Sequence, residues 1–115
     1  MQTVTTDLCI VVPACNEEKN LPLLLDELLA TLAQAEIVFR VIFVDDGSRD
    51  GTATVIRKLA ATHKNVQGII LSRNFGHQAA LSIGLQHASG RSVAVMDADL
   101  QPRSLGVRRS MREDL

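Results

Sequence analysis

Short apolar runs alternate with stretches of helical periodicity along this chain, and that alternation restricts its fold more than any other property. Leu8 to Pro13 is an unbroken apolar run, the pattern of a strand buried on both faces. Asn20 follows as a helix N-cap with Pro22 tolerated in the first turn. Leu21, Leu24, Leu25, Leu28, Leu29 and Leu32 then recur at helical spacing as one stripe. Ile37 to Val44, β-branched and aromatic, predicts a second strand that stops at the turn cluster Asp45-Asp46-Gly47-Ser48. Thr52 to Ala61 predicts a second helix, Val66 to Leu71 a third strand, and Gln78 to Ala88 a third helix. In that helix Ala79, Ala80 and Gly84 allow close packing on a sheet. Ser92 to Met96 predicts a fourth strand, ending at Asp97-Ala98-Asp99. Three consecutive strand–helix–strand units imply an α/β fold: a mostly parallel sheet flanked by helices, with right-handed crossovers.

Composition narrows the class. A chain of 115 residues has room for one small domain, and 46% apolar residues argue against bulk disorder. A formal net charge of −1 lacks the basic surface of a sequence-independent nucleic-acid binder. No Trp, no Tyr and three Phe leave little for stacking on bases, so no nucleic-acid partner is expected. Cys9 and Cys15 form neither a disulfide scaffold nor a Cys-x-x-Cys zinc motif. Cys9 is expected in the core of the first strand, Cys15 on the rim without a base to activate it. His63, His77 and His87 lack metal-binding spacing. No basic segment precedes the first apolar run, and no stretch reaches the ~18–20 residues of a membrane span. A cytoplasmic protein is the expectation.

In parallel α/β sheets, ligands bind outside the carboxyl ends of the strands. The first predicted end carries Pro13, Ala14, Cys15, Asn16, Glu17 and Glu18; the second Asp45 and Asp46; the third Ser72, Arg73, Asn74, Phe75, Gly76 and His77; the fourth Asp97, Asp99 and Gln101. Gathered carboxylates raise one another's pKa unless they share a cation. Alternate residues of an extended Asp-x-Asp can both reach a hard cation, Mg²⁺ or Mn²⁺, whose other positions suit phosphate oxygens. Arg73 offers a forked donor to the same phosphates, and Asp45 and Asp46 can accept from a base N–H or ribose hydroxyl. Taken singly, each has a plain structural reading. Asp45-Asp46-Gly47 serves as a turn, Asp97-Ala98-Asp99 as a solvated loop, Arg73 as a surface charge, and Asn16-Glu17-Glu18 as the entry to the first helix. Their coincidence on one rim favours a metal-bridged diphosphate site.

The ordered segments VVPACNEEKNL, IFVDDGSRDGT, LSRNFGHQAALSIGL and AVMDADLQ resemble the family 2 glycosyltransferases of the GT-A, Rossmann-like nucleotide-sugar fold. SRNFGHQAAL and DADLQ look most like the dolichol- or polyprenyl-phosphate sugar transferases, such as dolichol-phosphate mannosyltransferase. The resemblance implies that Pro13, Asn16 and Glu17 belong to a nucleotide-contacting loop, that Asp45 bonds the base with Asp46 beside it, and that Arg73 lies near the donor diphosphate. It likewise implies that Asp97, Asp99 and Gln101 form the catalytic metal motif. The implied reaction is inverting transfer of a sugar from a UDP- or GDP-sugar to a lipid phosphate, in lipid-linked glycan or cell-wall synthesis.

The resemblance runs from about Leu8 to Gln101 and implies that residues 1–101 form a nucleotide-sugar-binding part. Residues 102–115 depart from it: Pro102-Arg103-Ser104-Leu105-Gly106 and an Arg-rich tail replace the family's acid and paired prolines. The acceptor half is missing from the pattern, so a truncated fold is expected. Such a chain would bind a nucleotide with poor turnover and self-associate through an uncovered sheet surface. The alternatives are a non-catalytic nucleotide-binding fragment or a receiver-type signalling domain. The latter requires an acidic pair after its first strand; here that pair follows the second.

Overall fold

The structure, a computed structural model, describes residues 6–98. The alternation resolves into β1 (Leu8–Ala14), α1 (Asn20–Gln34), β2 (Phe39–Asp45), α2 (Thr52–Thr62), β3 (Val66–Ile70), α3 (His77–Gln86) and β4 (Ser92–Val95). These elements match those expected, with ends displaced by one or two residues. Their strands form a single parallel sheet in the order β3-β2-β1-β4. The register runs from Leu8 opposite Phe39 to Ala14 opposite Asp45, and on the other side from Leu8 opposite Ser92 to Val11 opposite Val95.

Every residue of β1 is buried, as its unbroken apolar run requires of a strand flanked on both edges and covered on both faces. Alternate residues divide between two cores. Leu8, Ile10, Val12 and Ala14 join Phe39, Val41 and Phe43 beneath the leucine stripe of α1 and Ile56 of α2. Cys9, Ile42 and Val44 face the other way, under Ala80 of α3. On that face the helix sits close: a Cβ at Gly84 would overlap Val11 and crowd Val44. Ala80 and Gly84 therefore give the close packing that the sequence predicted, while Ala79 is only half-buried.

Asn20 departs from expectation. Lys19 holds the cap position, and Asn20 is already helical, with its Nδ2 donating to Glu17 Oε1 at 2.7 Å. A turn brings the chain into the helix early, with Glu17 C=O accepting from the N–H of both Asn20 and Leu21. Of the six stripe leucines, Leu29 is only half-buried and the other five are buried.

The chain winds outward from β1 through β2 to β3, then returns across the sheet to place β4 on the far side of β1. Strand order reverses between β1 and β4, which is where such sheets open a ligand crevice. The ladder between them ends early. Met96 N–H still donates to Val11 C=O at 3.0 Å, but the next donor on that edge belongs to Pro13, which has no N–H. A proline inside a central strand is tolerated because it falls where the pairing stops.

Candidate functional site

Three loops leave the carboxyl ends of β1, β2 and β3, and side chains stitch them together. The first is clasped to the second. Asn16 has a positive φ of 57°, a conformation that asparagine tolerates better than most residues. Its Oδ1 accepts from Arg49 N–H at 2.8 Å and Asp50 N–H at 3.4 Å, while its own N–H donates to Ser48 Oγ at 2.8 Å. Glu17 N–H donates to Thr52 Oγ1 at 2.8 Å, and Glu18 Oε1 accepts from Gly51 N–H at 3.0 Å. Thr52 is fully buried, and its hydroxyl donates a hydrogen bond to Asp50 Oδ1. That hydroxyl is the main reason the Asp50 carboxyl is held below its ordinary range. Desolvation opposes the shift, and the backbone N–H groups of Thr52 and Glu18 add to it.

The second loop is fastened to the third. Asp45, 2% exposed, turns back on its own loop, where Oδ1 accepts from Ser48 N–H at 3.1 Å. Asp46, 4% exposed, reaches outward: Oδ1 accepts from Phe75 N–H at 2.9 Å and its carbonyl from Asn74 Nδ2 at 3.1 Å. Gly47 makes this closeness possible. Its φ is +70°, and a Cβ there would overlap the Arg73–Asn74 backbone. Asp45 and Asp46 thus each take a backbone N–H, one from its own turn and the other from the third loop.

A pocket of about 250 Å³ opens where the loops meet, lined by Pro13, Ala14, Cys15, Asp46, Asn74, Gly76 and His77. Of the residues singled out from the sequence, Pro13 and Asp46 line it directly. Asp45 does not: it shapes the turn, and its neighbour faces the cavity. Asn16 and Glu17 engage the second loop from outside the pocket wall. Arg73 is exposed, its guanidinium 4.7 Å from the centre of the Phe75 ring. Asp97 is exposed just beyond β4, while Asp99 and Gln101 lie outside the described residues. Among the described residues no group of three or more His, Cys, Asp or Glu side chains is arranged to hold a metal ion. Asn74, Gly76 and His77 line the pocket as well; the sequence puts them on the loop after the third strand but gives Asn74 no role, although an amide side chain four residues past the end of β3, inside a turn-rich run, was an available signal.

Cys9 is buried and Cys15 exposed, both as free thiols, and Cys15 Sγ receives a weak bond from Asn74 Nδ2 at 3.6 Å. No helix of the described residues is long and apolar enough to cross a membrane.

Comparison with known proteins follows the same outline. Residues 9–107 match the family model described as Glycosyl transferase family 2. An undecaprenyl-phosphate 4-deoxy-4-formamido-L-arabinose transferase of Aeromonas hydrophila is 42% identical over 93 residues, covering 80% of this chain and 28% of that protein. Among solved structures, the mannosyltransferase PcManGT of Pyrobaculum calidifontis, in complex with GDP-Man and Mn²⁺, superposes with a TM-score of 0.68 at 28% identity. That match covers 97% of this chain and 34% of the other. TarS of S. aureus in complex with UDP-GlcNAc gives a TM-score of 0.62 at 30% identity, over 82% of this chain and 27% of the other. The chain spans less than a third of the length of the curated relatives reported for it.

Proposed function

The chain belongs to glycosyltransferase family 2, and from that premise we propose that it binds a nucleoside-diphosphate sugar for inverting transfer of the sugar to a polyprenyl or dolichyl phosphate. The observation that carries this reading is the pocket at the carboxyl ends of β1 and β2, with a nearly buried carboxylate in its wall. Relatives named as undecaprenyl-phosphate sugar transferases support the acceptor class, and neighbours with GDP-Man and UDP-GlcNAc support the donor class.

Asp46 is the base-contacting acid in this reading, in place of Asp45. One of its oxygens takes the Phe75 N–H, and the other has no partner among the described residues, leaving an acceptor for a base N–H. Pro13 forms part of the floor, and Asn16 and Glu17 hold the first loop in shape. Arg73 presents its guanidinium to the diphosphate, a forked donor matched to phosphate oxygens. The exposed Asp97 carboxylate is a hard oxygen donor next to the β1–β4 crevice and suits Mg²⁺ or Mn²⁺, with Asp99 and Gln101 completing the set. A divalent cation held there supplies charge neutralisation for the departing diphosphate. A phosphate monoester acceptor has a second pKa of about 6, so it is largely ionised at neutral pH and needs no strong base. A lipid-phosphate acceptor places this chemistry at the cytoplasmic face of a membrane.

Calorimetric titration of UDP- and GDP-sugars, with and without Mn²⁺, tests the proposal on the native chain and on Asp99→Ala. Metal-dependent binding that disappears in the variant is the expected result. Indifference to every nucleotide, with metal or without, overturns it.

A further inference from the structure

We propose that Phe75 is a positioning residue that holds the Arg73 guanidinium ready for the donor diphosphate; the inference rests on the nucleotide-sugar reading above. Phe75 is 47% exposed, and among the described residues only Leu23 is a more exposed large apolar side chain. An aromatic ring left in water on a loop calls for a reason, and here the ring lies beneath a cation, with Arg73 Cζ 4.7 Å from its centre.

The way the guanidinium is held matters. Stacking uses the face of the group and leaves its edge N–H donors unspent, whereas an ion pair with a carboxylate would consume them. No hydrogen bond or ion pair of the Arg73 side chain is found among the described residues, so the fork stays available for phosphate oxygens.

Both halves of the stack are anchored to the same two residues of the neighbouring loop. Asp46 Oδ1 accepts from Phe75 N–H at 2.9 Å and so fixes the backbone that carries the ring. Gly47 lets the Arg73–Asn74 peptide lie directly against the β2–α2 loop, and Asn74 Nδ2 bonds the Asp46 carbonyl at 3.1 Å. Asn74 and Gly76, flanking Phe75, line the pocket. The guanidinium is thus tied through a short rigid path to the wall of the cavity it serves. A long, otherwise free arginine would have to lose its rotamer freedom on binding; the ring removes part of that cost beforehand.

Two measurements on the 115-residue chain test this. The first is NMR of the free protein. The Arg73 δ-methylene and Nε–H protons should be shifted upfield by the ring, and should return to ordinary values in Phe75→Leu. The second is calorimetry in Mg²⁺ with UDP and GDP, using uridine and guanosine as phosphate-free counterparts. Phe75→Leu should weaken the diphosphates by about two- to fivefold, the equivalent of an exposed cation–π contact. Nucleoside binding should not change, and Phe75→Tyr should restore native affinity. In an Arg73→Ala background, Phe75→Leu should have no further effect. A full loss in that background would mean that the ring touches the ligand itself, and would overturn the proposal. Absence of the upfield signature overturns the stack regardless of ligand. A clear signature in a chain that binds neither UDP nor GDP overturns the nucleotide reading, and with it the ligand assigned to Arg73.

Discussion

Replacing Thr52 by valine tests the loop clasp at its centre. The side chain is fully buried at the first position of α2, and its hydroxyl both accepts from Glu17 N–H and donates to the Asp50 carboxylate. Valine has nearly the same shape and helix preference, so neither a cavity nor a propensity change confuses the result. The bond to Asp50 ends on a solvent-exposed carboxylate that water screens, so the half-buried Glu17 N–H left without its partner sets the cost, about 1–3 kcal/mol. Burial of an extra methyl in place of a hydroxyl returns about 1 kcal/mol. The expected net loss is about 1 kcal/mol, or a fall of roughly 4–8 °C in Tm for a domain of this size. Thr52→Ser keeps both bonds, loses one methyl, and should cost about 1 kcal/mol. Calorimetric or circular-dichroism melting at neutral pH provides the readout. A Thr52→Val shift below about 3 °C would refute the reasoning.

The clasp also makes a statement about acid. The Asp50 carboxyl is lowered in the folded chain from a reference value of 3.8, chiefly by the Thr52 hydroxyl. Its contribution is therefore complete above that value and fades as pH falls through the lower folded one. Valine removes the main cause, so the stability difference between native and Thr52→Val chains should narrow below about pH 4. An unchanged difference down to pH 2 would argue against the assignment.

Other expectations follow from the fold. Gly47→Ala combines a left-handed backbone with overlap onto the Arg73–Asn74 peptide, and should cost at least about 2 kcal/mol by chemical denaturation. A variant as stable as the native chain would mean that the second and third loops are not in contact. Among the described residues β3 and β4 each have one unpaired edge, so the chain should self-associate, and light scattering should show mass growing with concentration. A monomer at millimolar concentration contradicts this.

The layered fold was legible in the sequence because burial writes itself into periodicity. The seamless run from Leu8 announced a strand covered on both faces, and the leucine stripe announced α1. Element ends were less legible, since Asn20 has the chemistry of a cap but lies past a turn that had already begun the helix. The rim was legible as a set of residue types at strand ends and illegible as a geometry. Two adjacent aspartates look alike in sequence; one closes its own turn while the other fastens a loop 29 residues away. The pairing of Asn16 with Arg49 and of Glu17 with Thr52 spans more than 30 residues, where no local pattern reaches. Asp97 stands exposed just past β4, where the sequence placed it, and Asp99 and Gln101 lie outside the described residues.

The unequal covering of the two faces of the sheet gives the molecule a built-in clock. Among the described residues one face lies under two helices, the other under the ten residues of α3, held by Ala80 and Gly84. Cys9 is sealed beneath that single helix, while Cys15 stands in the open. A thiol reagent should therefore label Cys15 in a burst and reach Cys9 only as often as α3 lifts. The slow phase then times an opening event that leaves α1 and α2 seated on the other side.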